Sequence, residues 1–282
     1  MRTATDLRAR LGKAWIKAGR ELERLSYRAK IAQPKLLGPA IRGPLVQLYR
    51  TDADFTTEVG FVNYLTFYLL DADIGITVTV TAYDRNGKRL GSGRHRIGRK
   101  QALQRPLEEL VGSPLDAHGL FTVEAEYDAA AIDDIAFLGQ TAPQFMTLFV
   151  PRAGGAAAPQ ILHSHKGFQR GGVPYSPCRW ESPVTEHLAT VEAYSVFVVN
   201  ACRSKLGGRV ELIDVGRPDA AWRTNYHAPA WGVARIDLRP AALNLPLDQP
   251  FRFACDFDRR TPHRKPILFR RFADGSITGN HS

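Results

Sequence analysis

Alternating polar and apolar residues predict β-strands along most of the chain. From Ile76 to Tyr83, branched apolar residues alternate with threonine, which is typical of a strand with one buried face. The run from Val62 to Leu70 is almost continuously apolar and predicts a buried strand. Asn86-Gly87 follows the alternating segment, and this dipeptide favours a tight hairpin turn. Further strands are predicted over 120–127, 145–150, 160–165 and 232–238.

The second half of the chain repeats the order of these segments. Residues 192–200 correspond to 62–70, and residues 209–215 correspond to the alternating run. Residues 251–257 correspond to 121–127, and an aspartate follows each of these two segments, Asp258 and Asp128. Residues 266–282 correspond to 144–165. The pattern predicts an all-β fold of two tandem antiparallel β-sandwich domains related by an internal repeat, preceded by an N-terminal amphipathic helix.

Proline and glycine divide the chain into four predicted segments. Residues 1–33 form a basic amphipathic helix, 45–165 the first β-sandwich, 166–185 a linker rich in glycine and proline, and 186–282 the second β-sandwich.

The predicted helix is basic on one side and apolar on the other. Apolar residues recur every three or four positions from Leu7 to Ala29, with Trp15 among them. Residues 1–30 carry nine basic and three acidic side chains, a net +6 out of +10 for the whole chain. Such a helix packs on the β domains, lies on an anionic membrane surface, or binds another anionic partner. The candidate membrane-contact residues are Lys13, Trp15, Lys17, Arg20 and Arg24.

The composition narrows the class of protein. No apolar run approaches the roughly 20 residues of a membrane-spanning helix, and no secretory signal is recognisable. The odd set of three cysteines, Cys178, Cys202 and Cys255, argues against a disulfide framework. We therefore expect a cytoplasmic protein with reduced thiols, with peripheral attachment to the inner membrane as an open alternative.

The strand order, the Asp84–Lys88 hairpin and the Gly-Leu-Phe-Thr-Val-Glu segment at 119–124 resemble bacterial immunoglobulin-like or fibronectin-III-like modules. The resemblance implies a β-sandwich fold, and adhesive, scaffolding or ligand-binding roles are usual for such modules. The resemblance covers each half of the chain loosely. Such modules are mostly exported, whereas this sequence shows no recognisable export signal.

His163-Ser164-His165 is the candidate metal site. On a strand, residues two apart share a face, so both imidazoles can reach one zinc or iron ion. His281 occupies the position in the second copy that corresponds to His163. The alternatives are polar residues that end a strand and hydrogen-bonding residues at a domain interface. No cofactor is expected, and the alternative is a zinc or iron ion bound at this site.

Two segments combine aromatic and basic residues in a way that suits contact with a sugar or an anion. They supply the candidate ligand-binding residues Arg179, Trp180, Trp222, Arg223, Tyr226 and His227. The alternative is that the aromatic rings belong to the core and the flanking arginines are solvated.

Recognisable catalytic motifs are missing from the sequence. It contains no Gly-x-Ser-x-Gly elbow, no phosphate-binding P-loop and no Rossmann glycine pattern. We therefore expect a non-catalytic binding or scaffolding protein that contacts an anionic membrane surface, a glycan or another anionic ligand. Nucleic acid is not an expected partner, since the basic charge is concentrated in one helix. A protein partner and a metal-dependent enzyme with the His-x-His site are the alternatives.

Overall fold

The computed structural model describes residues 44–63, 75–127, 145–152, 160–163, 178–217, 220–259 and 265–281. They are almost entirely β-structure, with one short helix, α1 (Leu107–Val111), and two 3₁₀ turns (Leu188–Thr190 and Pro240–Ala242). The strands are β1 (Leu45–Arg50), β2 (Phe55–Val62), β3 (Ile76–Asp84), β4 (Arg89–Ile97), β5 (Ala102–Pro106), β6 (His118–Tyr127), β7 (Phe145–Pro151), β8 (Gln160–His163), β9 (Cys178–Glu181), β10 (Glu186–His187), β11 (Val191–Val199), β12 (Leu206–Asp214), β13 (Ala220–Ala228), β14 (Val233–Leu238), β15 (Pro250–Phe257), β16 (Ile267–Phe272) and β17 (Ile277–His281).

These strands form four sheets, and every strand pair is antiparallel. Sheet I has the order β1-β6-β3-β4, and sheet II has the order β5-β2-β7-β8. Sheet III has the order β10-β15-β12-β13, with β9 also paired to β15, and sheet IV has the order β14-β11-β16-β17. We call sheets I and II the N-terminal sheet pair, and sheets III and IV the C-terminal sheet pair. The strand order of each sheet in the first pair recurs in the second, with β9 and β10 together standing in for β1.

Sheets I and II share one apolar core. The segment from Ile76 onward, in which apolar residues alternate with threonine, forms strand β3, and every second residue of β3 is buried. Val78 and Val80 of β3 pack in a cluster that also contains Phe61 of sheet II. Helix α1 adds Leu110 to this core and ends at Gly112, which adopts the left-handed conformation that glycine tolerates best. The arrangement is that of a β-sandwich.

Sheets III and IV share a second core. On β15, four alternate residues point inward: Phe251, Phe253, Cys255 and Phe257. They meet residues of β11, including Tyr194, whose ring lies edge-on to Phe253 at 5.1 Å. Tyr194 Oη donates a hydrogen bond to Glu186, and Glu186 also accepts from Arg270 Nε at 2.7 Å, so this buried carboxylate is neutralised.

A third apolar cluster, which we call the joint core, joins the two sheet pairs. It combines Phe55 and Phe149 from the first pair with Phe197 and Phe269 from the second. Phe269 lies 5.6 Å from Phe55 and 5.2 Å from Phe149 between ring centroids. Part of the outer face of sheet IV is therefore buried against the N-terminal sheet pair, while Arg235 and Asp237 on the same face stay exposed.

The predicted hairpin forms part of the same junction. Asp84 N donates to Lys88 O, and Gly87 has a φ of 86°, as a tight turn after β3 requires. A Cβ on Gly87 would lie 2.0 Å from Ala230 O, so only glycine allows this close approach. Val233 N donates to Arg85 O at 2.9 Å, which ties the hairpin to the beginning of β14.

The all-β, antiparallel prediction is confirmed. The strands predicted at 76–83, 120–127, 145–150, 192–200, 209–215, 232–238 and 251–257 are found within a few residues of β3, β6, β7, β11, β12, β14 and β15. The strand predicted over 62–70 falls largely outside the described residues, and β2 (Phe55–Val62) ends at its first residue. Residues 178–181 fall in the predicted linker but form strand β9. The predicted helix 1–33 also lies outside the described residues.

Candidate functional site

The outer face of sheet III carries a row of polar side chains that crosses four strands. On β12, Val210 and Leu212 point into the core, so Arg209 and Glu211 point outward. In the register, Arg209 lies opposite Asn225 of β13 and opposite Asp256 of β15. Asp256 in turn lies opposite Arg179 of β9. The row therefore reads Asn225, Arg209, Asp256, Arg179.

Ion pairs hold this row in one arrangement. Arg179 Nη1 donates to Glu211 Oε2 at 2.9 Å and to Asp256 Oδ1 at 2.8 Å, while its Nε donates to Glu181 at 2.8 Å. Arg209 Nη2 donates to Asp256 Oδ2 at 2.9 Å. Arg209 Nε lies 2.8 Å from Glu211 Oε1, close enough for an ion pair but without hydrogen-bond geometry. Asp256 and Glu211 thus each contact both arginines, one arginine through each carboxylate oxygen.

This network stabilises the charged form of Arg179. Burial by itself lowers the pKa of a guanidinium, but hydrogen bonds to Glu181, Asp256 and Glu211 outweigh that effect, so the pKa of Arg179 is raised. The guanidinium stays charged and oriented, and a ligand meets groups that are already in place.

A cleft of about 500 Å³ opens beside this row. It is lined by Cys178, Arg179, Gly208, Arg209, Asn225, Asp256, Phe257 and Asp258. Next to Asp258, Gly207 leaves a gap between two side chains, since a Cβ there would lie 3.3 Å from both Asp258 Oδ2 and His227 Nδ1. Gly208 is required by packing, because a Cβ would lie 1.9 Å from Asp256 O.

Tyr226 and Cys255, which lie in the core beneath the outer face of sheet III, are chemically inert. Tyr226 Oη donates to Asp256 O at 3.0 Å, and the Cys255 thiol lies 3.8 Å from the same hydroxyl. Burial raises the pKa of Cys255 to about 12, so its thiol stays protonated at neutral pH. Burial likewise raises the pKa of Tyr226. These groups support the strands and offer neither a nucleophile nor a base.

The structure divides the six candidate ligand-binding residues into two groups. Arg179, Arg223 and His227 belong to the outer face of sheet III. Trp180, Trp222 and Tyr226 point inward and pack against the core of the C-terminal sheet pair, as the alternative interpretation of these rings expected.

Sequence reasoning missed the centre of the site, which is formed by Arg209, Glu211, Asn225, Asp256 and Asp258. A signal was present in the strand alternation: charges at 209, 211 and 256 stand out of phase with the apolar residues of β12 and β15.

Only two of the predicted metal-site residues, and none of the predicted membrane-contact residues, lie within the described part of the chain. His163 ends β8 and His281 ends β17, and these two strands contact each other, whereas His165 lies outside the described residues. Among the residues that the structure describes, no group of three or more His, Cys, Asp or Glu side chains is arranged to hold a metal ion. Lys13, Trp15, Lys17, Arg20 and Arg24 all fall outside the described ranges. No helix in the described part of the chain is long and apolar enough to span a membrane.

Comparison with known proteins adds no family assignment. No protein-family model and no curated protein sequence matches the chain. Among solved structures, a β-glucuronidase from glycoside hydrolase family 2 is 6% identical, with a TM-score of 0.15, over 83% of this chain and 23% of that one. The transglutaminase of red sea bream is 13% identical, with a TM-score of 0.15, over 87% of this chain and 32% of that one. The chain thus spans about a quarter to a third of the length of these proteins, and similarities this low carry no argument about fold or function.

Proposed function

We propose that this chain is a non-catalytic β-sandwich binding protein whose ligand, a glycan or an anionic molecule, occupies the cleft on the outer face of sheet III. The observation that carries the proposal is the ion-pair network of Arg179 and Arg209 with Glu211 and Asp256 beside an open 500 Å³ cleft. The volume lies in the range of about 300–1,000 Å³ that is usual for small-molecule sites.

Binding suits this set of groups better than catalysis. The carboxylates of Glu211 and Asp256 each contact two guanidinium groups, and the buried thiol and phenol stay protonated. A general base or a nucleophile needs a free, activated group within reach of the reacting atoms. Oriented donors and acceptors, by contrast, favour recognition because little order has to be created when the ligand binds.

We further propose that the two sheet pairs are tandem β-sandwiches related by an internal repeat. The recurrence of both strand orders supports this proposal. In immunoglobulin-type sandwiches the second strand neighbours the fifth, and the third neighbours the sixth. The same neighbours occur here as β2 with β5 and β3 with β6. The flanking strands depart from that pattern, since β1 lies beside β6 and β7 lies beside β2.

The first test is a glycan array probed with the labelled full chain. We expect wild-type protein to retain at least one class of glycan, and we expect Arg209→Ala to weaken retention by about tenfold or more, because a charged hydrogen-bonding group is lost. Arg94→Ala is the matched control. Arg94 is also an exposed arginine paired with a carboxylate, but it lies on sheet I. Absence of binding by the wild type would exclude a glycan ligand, and equal loss in both variants would contradict the proposed role of the cleft.

Attachment to an anionic membrane surface from the cytoplasmic side is the second part of the proposal, and it rests on the basic, apolar-striped sequence of residues 1–30. We expect the full-length variant Lys13→Glu/Lys17→Glu to lose salt-sensitive sedimentation with vesicles that contain phosphatidylserine. Arg94→Glu/Arg105→Glu changes the net charge equally at exposed sites on the described surface and serves as the control. Equal sedimentation of the two variants would refute the membrane proposal.

A further inference from the structure

The ligand class of the sheet III cleft follows from how its charges are balanced. The lining carries two arginines, Arg179 and Arg209, and two aspartates, Asp256 and Asp258. Each arginine is already held by carboxylates. An anionic ligand would have to replace one of these contacts with an equivalent one, and it would also face the negative charge of both aspartates.

A hydroxyl group can bind the same residues without replacing an ion pair or being repelled by the aspartates, because it is uncharged and both donates and accepts hydrogen bonds. Asp258 Oδ1 accepts from Arg259 Nε at 3.1 Å, whereas Oδ2 is directed toward the gap above Gly207. His227 lies on the other side of that gap, and Asn225 lines the cleft next to it. Carboxylate, amide and imidazole groups therefore lie beside the guanidinium groups on this face of the sheet.

We propose that the cleft binds a neutral, hydroxyl-rich ligand, a short uncharged oligosaccharide. Asp258 accepts from its hydroxyls, Asn225 donates and accepts, and Arg209 donates. The inference rests on the proposed function and narrows it from glycans and anions to neutral saccharides. The open shape of the cleft and the exposed position of His227 fit a ligand that projects into water at one end.

Cys178 is the cysteine whose alkylation can report occupancy, because it is one of the residues that line the cleft. Cys178 is half-buried and lines the cleft, its side chain packs against the core of the C-terminal sheet pair, and its Sγ lies 3.8 Å from Arg259 O. Cys202 is also half-buried but is not among the lining residues, so it serves as an internal control. A saccharide in the cleft should slow alkylation of Cys178 by iodoacetamide and leave the rate at Cys202 unchanged.

The experiment uses the full chain and five probes: maltotriose, cellotriose and diacetylchitobiose as neutral saccharides, and trigalacturonate and a heparin tetrasaccharide as anionic ones. Binding is measured by saturation-transfer NMR, and alkylation is followed by peptide mass spectrometry. We expect at least one neutral probe to bind and to slow Cys178 alkylation several-fold. Asp258→Ala should weaken that binding about tenfold or more, because a charged acceptor is lost. Asp237→Ala, which removes an exposed aspartate paired with Arg235 on sheet IV, should leave it unchanged.

The outcomes separate the inference from the proposed function. Binding of anionic probes alone, with Cys178 protected, would overturn the neutral assignment while the cleft remained the binding site. Neutral binding that is equally strong in Asp258→Ala would also overturn the inference. Failure of all five probes to bind, together with an empty glycan array, would refute both.

Discussion

Replacement of Phe269 by alanine is expected to lower the free energy of unfolding by about 3–5 kcal/mol, as large-to-small changes of buried aromatic residues do. Phe269 belongs to β16, but its ring contacts Phe55 and Phe149 of the N-terminal sheet pair and Phe197 of its own sheet. The guanidinium of Arg50 also lies over its face, 4.3 Å from the centroid. The cavity would therefore form where the two sheet pairs meet. Urea unfolding followed by far-UV circular dichroism measures the change.

Two further variants test whether the loss comes from the joint core. Phe269→Leu keeps most of the volume and should cost less than about 1.5 kcal/mol. Phe272→Ala, on the same strand, removes a ring that is only partly buried and should cost less than about 2 kcal/mol. A loss below 1 kcal/mol for Phe269→Ala would contradict the description of the joint core.

Replacement of Arg50 by methionine is expected to cost about 3–5 kcal/mol, because removal of one partner from a buried ion pair leaves an uncompensated charge. The Arg50 side chain is only 3% exposed, and its Nη2 lies 2.6 Å from Asp52 Oδ2 and 3.2 Å from Asp54 Oδ2. Its guanidinium also contacts the rings of Phe55 and Phe269 at 4.7 and 4.3 Å. Methionine fills a similar volume but supplies neither charge nor donors.

The double variant Arg50→Met/Asp52→Asn should recover part of the loss, because it removes the isolated carboxylate along with its partner. Arg94→Met is the surface control. Arg94 pairs with Glu126 at 2.5 Å, but both side chains are about two-thirds exposed, so this variant should cost less than about 1 kcal/mol. Equal losses in Arg50→Met and Arg94→Met would show that burial of Arg50 contributes nothing.

A difference between the two faces of a strand made some strands predictable, although β13 was missed despite its alternation. β3 was predictable because threonine and branched apolar residues alternate along it. β1 was missed because all six of its residues are buried, which leaves no alternation to detect. β9 was missed because its four residues lie in a stretch rich in proline and glycine, and only the pairing with β15 defines it as a strand.

The candidate site was harder to predict because its residues come from distant parts of the chain. Arg179, Arg209 and Asp256 meet only through the register of β9, β15 and β12. Register depends on pairing between strands, which a single sequence does not specify. The aromatic residues beside Arg179 and Arg223 drew attention to the correct strands, but the rings of Trp180 and Trp222 turned out to face the core.

The strand β1 has a consequence for how this chain is able to evolve. Leu45 and Tyr49 pack in the core of the N-terminal sheet pair, while Val46 and Leu48 pack in the joint core. A substitution on either side of the strand therefore disturbs a packed interior, and no position offers a solvent-facing site where change is cheap. Substitution of an exposed residue of β4, such as Arg94, disturbs no core, whereas every residue of β1 is buried. Any change there has to be matched by compensating substitutions in one of the two cores.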